Sequence, residues 1–366
     1  MKKGYYIVFG SQGSSGVNKK ICMQMEEMKK HFKIELIEVP KLERSFFKRI
    51  LGILPWISNN YDYNELFEKL ENPDFIYIRA VLCDGKYIKF LERVNNKFAN
   101  CKIVMEYPTY PYDKEHMQLS EIFFLLKDKY YRKFLHKVVD CFVTYTKHEK
   151  IYEVSTVQIR NGILVKEIEI AQKKRKDDKI TLLAVGYLQK AHGYERCIKG
   201  LAQYYRGQNK REIHINIVGD GDELEYYKKI VDDNRMSQYV TFYGRKDGEE
   251  LDRIYDEADI ALGVFGLYKV GLKVSSALKI REYLAKGLPI ISGCIEDVFE
   301  NKETYFYYEF PNDSSIIDMN IVVDFYDKIY GHRKETNQIR EEIRMYAYQT
   351  VDMPITFKNV IEYINN

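Results

Sequence analysis

The stretch Ile180-Thr181-Leu182-Leu183-Ala184-Val185-Gly186 and, thirty residues on, Ile213-His214-Ile215-Asn216-Ile217-Val218-Gly219-Asp220-Gly221 decide the fold. Each is an apolar run of strand length that ends on glycine, and between them Glu195 to Tyr205 carries apolar residues at helical spacing. Working outward toward the C-terminus, the same alternation continues. It predicts a helix near Leu224 to Asp232, a strand Val240 to Tyr243, a helix Leu251 to Ala258, a strand Ile260 to Val264, a helix near Ser276 to Lys286 and a strand Leu288 to Ser292. Working outward toward the N-terminus, Lys166 to Lys179 is polar, lysine-rich and without a core-forming pattern, which predicts an interdomain linker.

Before that linker, Arg160-Asn161-Gly162-Ile163 reads as a turn that closes an earlier half. That half opens with Tyr5 to Phe9, an amphipathic segment with Val17, Ile21, Met25, Met28 and Phe32, and Ile34 to Val39, a βαβ start. Further strand-like runs occur at Phe75 to Arg79, Lys102 to Met105 and Cys141 to Tyr145. Alternation of this kind requires right-handed crossovers and a parallel sheet covered on both faces. It occurs twice, so the expected architecture is α/β, with two Rossmann-like domains facing across a cleft and ligands beyond the carboxyl ends of the strands.

Composition narrows the function classes. The 366 residues hold 57 basic and 54 acidic side chains, a net charge of +3, which argues against a protein that wraps nucleic acid. Six cysteines lie scattered without a close pair, so neither a metal cage nor a disulfide framework is expected, and a reducing cytoplasm fits best. The opening MKKGYYIVFGSQGSSG is read as a first strand running into glycines, not as a signal peptide. No run approaches the roughly 20 apolar residues of a membrane-spanning helix.

The run from Ser276 through Leu278, Lys279, Glu282 and Gly287 to Ile291 resembles the donor-site signature of the retaining glycosyltransferases of family 4. Four other segments match in the same order: Gly10 to Gly16, Asn161-Gly162, Val185-Gly186-Tyr187 to His192-Gly193, and Val218-Gly219-Asp220-Gly221. The resemblance implies a GT-B type fold with an acceptor-binding domain over 1–164, a nucleotide-sugar-binding domain over 165–343 and a C-terminal helix over 344–366 returning to the first domain. The implied activity is transfer of a sugar from a nucleotide-sugar to a glycan or lipid-linked acceptor, retaining and metal-independent, in bacterial polysaccharide or glycoconjugate synthesis. Alternatives are a catalytically degenerate nucleotide-sugar-binding subunit and an epimerase of the same architecture.

In the resembled family two glutamates lie with seven residues between them. Glu282 fits the second, which holds the ribose, and the first falls on Val274. The family's diphosphate-neutralising Arg and Lys fall on Tyr187 and about His192, so Lys190, Lys273 or Lys279 is expected to supply positive charge.

Breaking a sugar–diphosphate bond accumulates negative charge on the leaving group, which calls for fixed N–H donors and cations. The Ser275-Ser276 pair is expected to cap the helix bearing Glu282 and aim its positive end at the phosphates. Leu278 and Lys279 belong to the same segment. Gly13, Ser14, Ser15 and Gly16 form a serine-and-glycine loop that lets backbone approach a phosphate or sugar. Gly186, Gly193 and Gly219 are expected in the turns around the donor. His192 is either a phosphate donor or a plain loop histidine, while Gly244 and Arg245 fall where the resembled family's backbone frames the base, the alternative for Arg245 being solvated surface. Asp220-Gly221-Asp222 is read as a βα turn whose Asp caps a helix rather than as a metal site, so no metal and no cofactor beyond the donor are expected.

Glu106 ends a strand ahead of Tyr107-Pro108-Thr109-Tyr110, and a carboxylate with tyrosines suits sugar hydroxyls. Glu106 is therefore the expected acceptor base, with Tyr107 and Tyr110 beside it. Lys41 to Ile57 and Phe123 to Lys137 mix basic with large apolar residues. They are read as interfacial anchors to an anionic membrane or as ordinary helices with solvated lysines. The segment Ile339 to Ile364 reads as helices interrupted before Pro354.

Overall fold

The computed structural model describes residues 1–10, 15–42, 61–113, 122–172, 179–207, 211–331 and 335–366. The chain divides into two compact units, Met1–Arg160 with Thr356–Asn366, and Asn161–Ile355.

In the first unit seven strands form one sheet: β1 (Lys3–Phe9), β2 (Lys33–Val39), β3 (Phe75–Arg79), β4 (Lys102–Tyr107), β5 (Cys141–Thr144), β6 (Lys150–Ile151) and β7 (Val154–Gln158). Their order is β2-β1-β3-β4-β5-β7-β6. Pairing is parallel except between β6 and β7. β3 and β5 are buried along their whole length, as expected of a sheet with both faces covered. The order reverses at β1, which sits between β2 and β3, so the crevice of this sheet lies at the carboxyl end of β1. The helix Lys358–Asn365 belongs to this unit through Val360, Ile361 and Ile364, and Lys2 Nζ donates to the Ile364 carbonyl at 2.6 Å.

In the second unit six strands, β8 (Ile180–Val185), β9 (Ile213–Val218), β10 (Val240–Gly244), β11 (Ile260–Leu262), β13 (Ile290–Ser292) and β15 (Tyr307–Glu309), form an all-parallel sheet in the order β10-β9-β8-β11-β13-β15. Counted within the unit this is 3-2-1-4-5-6, the doubly wound order with its switch point between β8 and β11. β12 (Val274–Ser275) and β14 (Ile295–Glu296) make a separate two-stranded ladder beside it. The helix Leu278–Ala285 is ended by Gly287, held at φ +75° with the Arg340 backbone against it.

Three expectations are corrected. Described residues of the expected linker pack inside the second unit: Ala171 is buried, its N–H donates to the Lys286 carbonyl at 3.1 Å, and Arg344 reaches the Ile168 carbonyl and that of Val165 just before the linker. Two apolar anchors, Val165 before the polar run and Ala171 within it, hold it to the second unit, and the division falls at Arg160–Asn161. The segment joined to the first unit is Thr356–Asn366, because Thr336–Thr350 buries Ile339, Ile343 and Ala347 in the second. Most of Lys41 to Ile57 lies outside the described residues, as do Gly13 and Ser14.

Candidate active site

The switch point of the second sheet is built from backbone. Gly186, at φ +137°, follows β8 and donates its N–H to the Val218 carbonyl at 3.0 Å. Gly219 follows β9 at φ +135°, so close that a Cβ there would lie 2.0 Å from the Gly186 carbonyl oxygen. Its own N–H donates to the Gly244 carbonyl at 2.8 Å. On the β11 side, Phe265 and Gly266 N–H groups donate to the His192 and Ala191 carbonyls at 2.8 and 3.0 Å, and a Cβ on Gly193 would strike Gly266 N at 2.4 Å. The glycines are thus required by the packing of one turn on the next.

Into this frame come a histidine and a lysine. A Cβ at Gly186 would stand 3.8 Å from both His192 Cε1 and Lys279 Nζ, so Gly186, His192 and Lys279 share one place. Burial, with the charge of Lys279, drives the His192 pKa down to about 2, and its Nδ1 has no hydrogen-bond partner. The ring is neutral and keeps one buried polar atom unsatisfied. Lys279 Nζ donates to Tyr194 Oη at 2.8 Å. Burial pushes its pKa down to about 7, against the opposite pull of Glu296 and Cys294.

Glu282 lies half-buried in the Leu278–Ala285 helix, and the next residue, Tyr283, takes the Val185 N–H on its hydroxyl at 2.9 Å, tying that helix to the end of β8. Leu278 is half-buried, while Lys190, Lys273, Arg245 and Tyr187 are exposed. Tyr187 Oη donates to Asp222 at 3.0 Å, and Asp220 takes the Gly221 N–H at 2.7 Å. The helix Leu224–Asp233 has Glu223 rather than an Asp at its start, so Asp220 stabilises its own turn and caps nothing.

The serine cap is also corrected. The residue at the start of the helix is Ala277, which has no side chain to offer. Ser276 Oγ donates instead to Asp297 at 2.9 Å, and Ser275 Oγ accepts the Ala277 N–H at 3.3 Å. The helix begins one residue too late for Ser276 and two too late for Ser275 to stand at its cap position.

Sequence reasoning missed Glu296. It lies across the ladder from Ser275, as Ile295 does from Val274, and is wholly buried. Oε1 accepts from Ser292 Oγ at 2.8 Å, whereas Oε2 has no partner. Burial, reinforced by Asp297, raises its pKa to about 7 although the Ser275 and Ser292 hydroxyls and Arg281 favour the charged form. A two-residue strand carries no periodic signal that could have marked it.

The first unit treats Glu106 differently. It is fully buried, and its oxygens accept from Tyr77 Oη at 2.7 Å, Tyr145 Oη at 2.8 Å, Gln24 Nε2 at 3.1 Å and Arg79 Nη1 at 3.2 Å, with Lys20 Nζ at 3.5 Å. Burial would raise its pKa, but Lys20, Arg79 and the two tyrosines outweigh it and hold the carboxyl below its usual range. Tyr107 points to the opposite face, as neighbours on a strand must, and stacks on Tyr112. Tyr110 is half-buried, edge-on to His148. The expected trio of Glu106, Tyr107 and Tyr110 is therefore not gathered in one pocket. Ser15 and Gly16 begin the helix Ser15–Lys29, whose Lys20 and Gln24 serve Glu106.

Two Rossmann-like sheets, the second with a glycine-built switch point that holds a lysine and an orphan histidine nitrogen, define a chain of the GT-B class. Residues 165–319 match the family of glycosyl transferases group 1, and the chain is a glycosyltransferase of that fold. Among solved structures, a glycosyltransferase from Rickettsia africae is similar over 100% of this chain and 98% of its own at 13% identity and TM-score 0.63. Anabaena Alr3699/HepE, solved with UDP-glucose, is similar over 100% of both chains at 13% identity and TM-score 0.62. The lipopolysaccharide outer core galactosyltransferase WaaB is similar over 100% of both chains at 14% identity and TM-score 0.58. No curated protein matches the chain in sequence. No helix among the described residues is long and apolar enough to cross a membrane.

Proposed function

We propose that the second unit holds a nucleotide-sugar at the carboxyl ends of β8, β9 and β11 and that the sugar passes to a hydroxyl of a glycan or lipid-linked acceptor bound by the first unit. The observation that carries this is the meeting of Gly186, Lys279 and the unpartnered His192 Nδ1 at the switch point. A diphosphate there draws on the Lys279 cation, a neutral imidazole N–H and first-turn amides of the Leu278–Ala285 helix. Glu282 takes the ribose hydroxyls, and Gly244 with Arg245 borders the base. Charge neutralisation then needs no metal, which agrees with Asp220 and Asp222 being engaged by Gly221 N–H and Tyr187. Retention without a protein nucleophile is read as front-side attack within an ion pair: the sugar–diphosphate bond breaks, the acceptor oxygen bonds to the same face, and its proton passes to the departing phosphate oxygen.

A membrane-borne acceptor in bacterial polysaccharide or glycoconjugate synthesis, met at the inner face of the cell membrane, is part of the same reading. The helix Ile122–Tyr131 leaves Phe123, Leu126 and Tyr130 exposed, with exposed Lys129, Lys133 and Lys137 nearby.

Because HepE was solved with UDP-glucose, uridine diphosphate sugars are the first donors to try. Incubation of the purified chain with radiolabelled UDP-sugars and membrane lipid extract should transfer label to lipid. Label that stays in an isomerised nucleotide-sugar identifies an epimerase, and binding without turnover identifies a degenerate subunit.

A further inference from the structure

The helix that carries Lys279 and Glu282 starts without a side-chain cap, yet its start is among the most heavily pinned places in the second unit. Arg281, one turn in, is completely buried and spends its guanidinium on that turn. Nε donates to the Asn161 carbonyl at 3.0 Å and Nη1 to the Ala277 carbonyl at 3.2 Å. Nη2 donates to Ser276 Oγ at 3.1 Å and to Asp297 Oδ1 and Oδ2 at 2.5 and 2.7 Å. Asn161, the first residue of the unit, returns the contact, its Nδ2 donating to the Ser276 carbonyl at 2.8 Å.

A guanidinium suits this work because it presents N–H groups in a rigid plane and stays charged, whereas an ammonium is a single flexible point charge. The Ser276 carbonyl accepts from Asn161, the Ala277 carbonyl from Arg281 as well as from the Ile280 N–H, and Ser276 Oγ is committed to Asp297. The N-cap residue offers no side-chain acceptor to the first-turn amides of Leu278–Ala285, of which Ile280 N–H turns back to the Ala277 carbonyl at 3.2 Å. A serine or aspartate cap would have consumed one of those amides.

We propose that Arg281 is a positioning residue of the donor site: by clamping Asn161, Ser276, Ala277 and Asp297 it replaces the missing cap and keeps the start of the helix fixed and open for the donor's diphosphate. The inference rests on the donor-site reading above, and it assigns a role to a residue that touches neither donor nor acceptor. Asp297 is part of the device, since without it a buried cation would stand uncompensated.

The test uses the full chain with UDP as probe and UDP-sugar turnover as readout. Arg281→Lys keeps the charge and loses the fork, and kcat/KM should fall roughly ten- to hundredfold, as expected when reacting groups are misplaced by about an ångström. Arg281→Ala should lose UDP binding and regain it in millimolar guanidinium chloride, a rescue that a general packing defect does not show. Amide hydrogen exchange at residues 276–280 should accelerate in both variants while the sheet strands exchange as in the parent. An Arg281→Lys protein with parental turnover and exchange would overturn the proposal, as would an Arg281→Ala protein that guanidinium leaves unable to bind. If the parent itself binds no nucleoside diphosphate, the donor-site reading fails, and the exchange comparison still decides whether Arg281 holds the helix start.

Discussion

Glu106 in the first unit and Glu296 in the second are both buried carboxylates close to the carboxyl ends of their strands, and the chain treats them in opposite ways. Glu106 has two tyrosine hydroxyls, an amide, an arginine and a lysine around it, and both its oxygens are filled. Glu296 has the Ser292 hydroxyl at 2.8 Å and the Cys294 thiol at 3.9 Å on Oε1, while Oε2 makes no hydrogen bond. A carboxylate saturated by its own chain has nothing to offer a ligand and acts as a joint between elements. An under-satisfied one, close to Lys279 and in the same unit as the orphan nitrogen of His192, keeps an acceptor to offer the donor proposed above. The contrast moves the chemistry of the chain away from Glu106 and toward the second unit.

The strongest way to break the comparison is Glu106→Leu. If Glu106 is a joint, its loss strands Lys20 and Arg79 inside the unit and costs about 3–5 kcal/mol of stability in denaturant titration, with UDP affinity unchanged in whatever protein folds. A variant as stable as its parent would end the structural reading. Because the folded-state pKa of Glu106 is depressed, its contribution is present above the ordinary glutamate pKa and is lost as pH falls through the folded value, so the parent should lose this increment on acidification.

The next effect is at the ligand side. Lys279→Met should weaken UDP binding by about 1.5–3 kcal/mol, roughly ten- to 150-fold by calorimetry, while stability holds or rises because a poorly solvated amine is removed. Equal affinity would exclude Lys279 from the donor site.

Protonation sharpens the same assignment. Free Lys279 has its pKa near 7, and an anionic diphosphate favours the charged amine. Affinity should therefore be level below that pH and fall by up to roughly tenfold per unit above it. Calorimetry at pH 7 in buffers of different ionisation enthalpy should register proton uptake on binding. Glu296→Gln removes a charge that pulls Lys279 upward, so the fall should begin at lower pH. A profile that does not move would separate the two residues.

The smallest effect expected is that of Glu282→Ala, about 1 kcal/mol in donor affinity for lost ribose hydrogen bonds. Unfolding should shift by no more than about 0.5 kcal/mol, since the side chain is only half-buried. Unchanged affinity would leave the ribose without this partner.

The strands of both sheets were legible because apolar runs such as Ile180 to Val185 are bounded by glycine, and the parallel fold class follows from their alternation with helices. What went unread lacks local signal or obeys distant partners. β6 and β15 are two and three residues long, and β7, Val154-Ser155-Thr156-Val157-Gln158, has no continuous apolar run of the kind that marked β3. Helix Met319–Tyr330 has helical spacing at Met319, Val322, Tyr326 and Ile329 and went unread. A polar run was taken for a linker because Ala171 is the one buried residue among its described ones. Glu106 looked like a strand-end base because Lys20, Arg79 and Tyr145, which neutralise and enclose it, are remote in sequence. The serines before Leu278 carry cap chemistry, yet Asp297 and Arg281 claim Ser276 first. Lys279 and His192 could be named from the sequence and their protonation could not, since burial decides it.

The contact of Gly219 with Gly186 bears on how such an enzyme is redesigned. Any side chain at 219 lands on a carbonyl oxygen 2.0 Å away and drives the two turns apart. Libraries seeking a new sugar donor should leave these turns untouched and spend their diversity on Tyr187, Lys190 and Arg245, whose exposed side chains can change without moving the backbone beneath them.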